Sequence, residues 1–152
     1  MIGLSFYSIR TTDEFLWKNN CQTLYVIYNS LCIFPFSIEQ NAIMQEGDLK
    51  GGGLATVLIV AQSILKTQEP PNHIEFQDMN FLLKVGNRSF SGNRCIGILL
   101  VKKNLMILQE KLDRFMTDFE THFAATLENW GGNASPFSEE GGKIAQIFQL
   151  KR

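Results

Sequence analysis

The sequence predicts an α+β domain: a five-stranded antiparallel sheet packed by two long helices, in the order β-β-α-β-β-β-α. An N-terminal lead-in precedes it and a C-terminal tail follows. Three observations predict this. Two β-branched and aromatic runs stand back to back across a two-residue turn. Two later stretches repeat apolar residues at three- and four-residue spacing. Between those stretches lie three further strand-like runs.

Composition sets the outer bounds. The 152 residues suit a single domain with its own core, and 45% hydrophobic with 19% charged content is too apolar for disorder. Fourteen basic and fifteen acidic residues give a formal net charge of −1, which predicts neither nucleic acid nor an anionic membrane as main ligand. Cys21, Cys32 and Cys95 are odd in number and lie beside apolar residues, so they read as free, buried thiols in a reducing compartment. The opening residues have no basic region of a secretory signal, and no apolar run approaches the roughly 20 residues that span a bilayer. The expectation is a cytoplasmic protein without an integral membrane segment. Asn133-Ala134-Ser135 matches a glycosylation acceptor, but nothing else points to secretion.

Residues 1–20 form the lead-in. Ile2, Leu4 and Phe6 alternate like a strand, whereas Thr11 and Glu14 have capping-box spacing for a short helix, so a helix or hairpin that packs Phe15, Leu16 and Trp17 onto the sheet is expected. Leu24–Tyr28 and Leu31–Phe36 then read as a hairpin joined by Asn29-Ser30. Pro35 cannot donate to a ladder, which puts it at an edge or a bulge.

A polar stretch from Glu39 to Lys50 and the run Gly51-Gly52-Gly53 lead into a helix from Leu54 to Lys66. Its core face is Leu54, Val57, Leu58, Ala61, Ile64 and Leu65. Pro70-Pro71 ends it. Strands follow at His73–Phe76, Met79–Val85 and Cys95–Val101, the last an unbroken apolar run of central-strand length. Asn104–Trp130 is the second long helix, with Leu105, Leu108, Leu112, Phe115, Met116, Phe119, Phe123, Leu127 and Trp130 on one arc. Gly131-Gly132 stops it. The domain therefore covers 21–131, and 132–152 is a tail in which Ser138 can cap a helix and Ile144, Ile147 and Phe148 can dock back or meet a partner.

This order, with the hairpin Leu24–Phe34, the glycine-led helix start Gly51–Val57 and the later pair Phe81–Lys84 and Ile96–Val101, resembles the longin and roadblock (dynein light-chain type) folds. Those folds share a five-stranded antiparallel sheet with a helix after the second strand. The resemblance covers about Cys21 to Gly131 and rests on pattern and topology. It implies a non-enzymatic scaffold that forms a homodimer, or a heterodimer with a related subunit, and contacts a small GTPase or a trafficking complex. Small proteins of this kind occur in archaea with eukaryote-like trafficking genes, which the resemblance implies as a source.

Candidate chemistry is sparse. The glycine run lacks the Gly-Lys-Ser/Thr of a phosphate loop, since Lys50 precedes it, so close approach of another backbone or a flexible helix entry explains it better. His73 and His122 have no neighbours at metal-ligand spacing, and no nucleophile elbow or catalytic motif is present, so neither enzyme nor cofactor is expected. The loop Gly86–Arg94 repeats Gly-Asn-Arg and reads as a solvated turn with an exposed Phe90. Ile59 lies off the core face of the first long helix, among Ala55, Gln62, Ser63 and Lys66. With Gly51, Gly52 and Gly53, these residues form the expected interface, a small-residue face suited to pairing with its copy across a two-fold axis. The alternative is a small-molecule-sensing domain with a pocket between sheet and helices.

Overall fold

The computed structural model describes residues 20–44, 53–76 and 79–146. All of the expected lead-in but Asn20, including Phe15, Leu16 and Trp17, lies outside these residues, as do Gly51, Gly52, Ile147 and Phe148. The described strands are β1 (Cys21–Tyr28), β2 (Leu31–Ser37), β3 (Ala42–Ile43), β4 (His73–Phe76), β5 (Met79–Phe90) and β6 (Asn93–Val101). The helices are α1 (Gly53–Leu65), α2 (Met106–His122), α3 (Ala124–Glu128) and α4 (Ser135–Ala145).

All neighbouring strands pair antiparallel, in the order β3-β2-β1-β6-β5-β4. The sheet thus has six strands rather than the expected five. The extra one is β3, a two-residue pairing of Ala42 and Ile43 with Ser37 and Phe36 inside the stretch expected to be a polar connection. Two residues are too few for a period-two pattern to show in the sequence.

The hairpin turn forms as its residues predict. Asn29 and Ser30 both take positive φ, 52° and 64°, the handedness that matches the twist of two-residue hairpins. Pro35 sits opposite Tyr25 within the ladder, and its carbonyl accepts the amide of Met44. A strand residue's N–H and C=O point to the same side, so the missing proline donor faces away from β1 and no β1–β2 bond is lost.

The central strands are buried on both faces, which explains the unbroken apolar run in β6. Cys95, Leu99 and Val101 enter one core cluster, while Ile96, Ile98 and Leu100 enter the other. β1 alternates likewise, with Leu24, Val26 and Tyr28 on the first side and Tyr25 and Ile27 on the second. Helices α2, α3 and α4 contribute to the first cluster through Leu108, Leu112, Phe115, Phe119, Leu127 and Phe137. Helix α1 covers the second with Val57, Val60, Ala61 and Ile64. Val60 was not among the expected core residues, and Leu58 is only partly buried. Gly97 lets α2 sit close, because a Cβ there would stand 2.5 Å from the sulfur of Met116.

The helical segments differ from the expected two in number and extent. The stretch 104–130 is not one helix. Phe123 leaves helical geometry at φ −103° and ψ 18°, separating α2 from α3. No glycine or proline marks this break. Phe123 instead packs its ring 4.7 Å from Phe119 and 4.9 Å from Phe137, so tertiary packing overrides local helix propensity. The segment after Gly132 also joins the core, with Phe137 and Ala145 fully buried and Ile144 packed against them. Its helix starts at Ser135 rather than being capped by Ser138. Pro136 occupies the first turn, and the Asn133 side chain accepts the amide of Ser135 at 3.0 Å.

Candidate interaction surface

Helix α1 turns its inner stripe to the sheet, so its outer stripe is displayed. Ile59, Gln62, Ser63 and Lys66 are all exposed, at the spacing i, i+3, i+4, i+7 that lines one helical face. Ile59 is 54% exposed, one of four large hydrophobic residues displayed among those described. Gly53 and Ala55 lie in the first turn of the same helix. The hydroxyl of Ser63 donates to the Ile59 carbonyl at 3.0 Å, and that of Thr67 to the Ser63 carbonyl at 3.1 Å. Both donors are satisfied within the helix end, so covering this face leaves neither orphaned.

A neighbouring apolar feature was not expected from the sequence. Leu31, at the end of the β1–β2 turn, is 52% exposed and borders a groove of about 320 Å³ with Cys32, Leu58 of α1 and Trp130. The turn itself gave no signal, since Tyr28, which flanks Asn29-Ser30 opposite Leu31, is buried. Elsewhere Met106 and Ile107 are exposed at the start of α2, where Met106 borders a groove of about 270 Å³ that Lys84 and Asp113 share. Those two charges pair at 2.9 Å.

The loop 86–94 differs from expectation. Phe90 is buried, not exposed, and the Arg88 guanidinium lies 5.7 Å from its ring centre. The hairpin tip is strapped to the body: Tyr28 Oη donates to the Phe90 carbonyl at 2.7 Å, and the Ser91 amide donates to the Glu128 carboxylate at 3.1 Å.

Reactive groups are few. Cys21 and Cys95 are buried and Cys32 is half-buried, all as free thiols. Burial pushes the Cys32 and Cys95 thiols up to about 12 and raises Cys21 further, so their thiolates are scarce near neutrality. His73 Nε2 lies 2.8 Å from Asn80 Oδ1, and His122 lies 3.3 Å from the Glu140 carboxylate. Among the described residues no group of three His, Cys, Asp or Glu side chains is placed to hold a metal ion. No helix among them is long and apolar enough to cross a membrane.

Compared with known proteins, the chain matches no family model, no curated protein and no solved structure.

Proposed function

We propose that this chain is a non-enzymatic interaction scaffold of the longin/roadblock kind, which dimerises and binds a small GTPase or a membrane-trafficking complex in the cytoplasm. The observation that carries the reading is the outer stripe of α1, where Ile59 is displayed among small and weakly polar residues with its hydroxyl neighbours already bonded. The topology supports it as well: two antiparallel strands, a helix, then three antiparallel strands, with the two-residue β3 added at one edge. A helix face of this kind pairs with its own copy about a two-fold axis, and the combined surface then serves partners.

The small-molecule-sensing alternative needs room between the sheet and its helices. The rings of Phe34, Phe115 and Phe119 occupy that space on one side, with centroids 5.4 to 5.9 Å apart, which favours the scaffold.

Light scattering across a concentration series tests the first step. A dimer that Ile59→Lys converts to a folded monomer supports the reading, and affinity capture with small GTPases in each nucleotide state then tests the second. A wild-type chain that stays monomeric throughout, or a dimer indifferent to Ile59→Lys, removes the proposed interface.

A further inference from the structure

Strand β5 departs from regular pairing where it meets α2. Val85 stands opposite Ile96 and Ser89 opposite Arg94, so Gly86, Asn87 and Arg88 share the single partner position of Cys95. The bulge frees the Asn87 amide, which donates to Glu120 Oε1 of α2 at 3.2 Å. Glu120 is only 2% exposed, and its other oxygen, Oε2, has no hydrogen-bond partner. Gly86 makes the fit possible, since a Cβ there would lie 2.2 Å from Oε2.

An ionised carboxylate at this place holds its charge on a buried oxygen, Oε2, that has no hydrogen-bond partner, whereas the protonated acid loses that charge. The backbone amides of Arg88 and Asn87 favour the ionised form, as do the charges of Arg88 and Lys84, though Lys84 is already paired with Asp113. The Cys95 thiol of β6 is close enough for the two ionisations to oppose one another. Burial outweighs these amides and cations and holds the Glu120 carboxyl above its ordinary value.

We propose that Glu120 is a proton-operated latch on the β5–β6 hairpin. Protonated, it seats against Gly86 and holds the bulge closed; ionised, it draws in water, and the segment from Gly86 to Arg94 loosens. Because the folded chain holds this proton more tightly than the unfolded chain does, the stabilisation is full below the ordinary carboxylate range. It is lost as pH rises through the elevated folded value. The hairpin would thereby report acidity through a local opening, with the remainder of the sheet intact.

Amide hydrogen exchange read residue by residue, corrected for intrinsic rates, tests this. In the wild type the protection of Asn87 and its neighbours should fall about threefold or more between about pH 5 and about pH 8, and in Glu120→Gln it should stay level. Equal pH dependence in both chains, or none in the wild type, overturns the latch. Should Glu120→Gln fail to fold, the carboxyl carbon-13 resonance of Glu120 in the wild type decides. A midpoint above the ordinary carboxylate range supports the proposal, and a midpoint within it refutes it.

Discussion

The hydroxyl of Tyr28 donates a 2.7 Å hydrogen bond to the backbone carbonyl of Phe90, joining the end of β1 to the tip of the β5–β6 hairpin. Tyr28 is 2% exposed, and its ring packs edge-on to Trp130 at 5.7 Å. Tyr28→Phe keeps that packing and deletes only the donor, which leaves a carbonyl unsatisfied. Chemical denaturation should show a loss of about 1–3 kcal/mol, with the protection of the Phe90–Asn93 turn reduced more than that of β6.

Two adjacent glycines of α4 should respond to alanine with opposite signs. A Cβ at Gly141 would meet the ring of Phe34 at 2.6 Å, and that ring is fully buried, so Gly141→Ala should destabilise by about 1–3 kcal/mol despite the better helix propensity. At Gly142 the nearest atom lies 3.9 Å away, an ordinary contact, so Gly142→Ala should stabilise by about 0.5–1 kcal/mol. Thermal unfolding of the two variants side by side checks both signs.

Helix α1 offers a similar contrast between its faces. Ile64 is buried against the sheet, and Ile64→Ala should cost about 2–5 kcal/mol. Ile59→Ala, on the displayed face, should change the unfolding free energy of the isolated subunit by no more than about 0.5 kcal/mol. Unfolding at protein concentrations below any dimer dissociation isolates this comparison from association.

The thiols should be silent in the native state. With Cys32 and Cys95 raised to about 12 and Cys21 higher, an alkylating reagent near neutral pH should modify the folded chain slowly. All three cysteines should react once denaturant is added. Mass spectrometry over time distinguishes the two regimes. Of the three, the half-buried Cys32 should be the first to react under native conditions.

The elements legible in the sequence were those whose pattern is set by their own length. β6 announced itself as an unbroken apolar run because helices bury both of its faces. The inward stripes of α1 and α2 showed at helical spacing, although Val60, three after Val57 and four before Ile64, was not counted among them. What was not legible depends on distant partners. The break at Phe123 answers to Phe119 and Phe137, and β3 exists only because Phe36 and Ser37 leave an edge open. Phe90 looked exposed because it lies among turn residues, yet β1, two strands away across β6, supplies Tyr28 to hold it down. The same limit hid Glu120. Four after Met116 and three before Phe123, it stands at the margin of the apolar arc, where its charge concealed its burial, and the bulge of β5 meets it there. At the candidate interface, the outward placement of Ile59, Gln62, Ser63 and Lys66 followed from helical spacing alone, while the exposure of Leu31 did not.

The seam at the middle of the sheet joins β1, near the start of the described chain, to β6, reached only after every other strand. On a ribosome the first hairpin therefore emerges long before its inner neighbour does. Until Val101 has been made, β1 has one ladder unfilled and apolar side chains on both of its surfaces. Among the described strands the β1–β6 pairing closes the longest stretch of chain, a topology that slows folding and leaves the waiting hairpin open to misassociation.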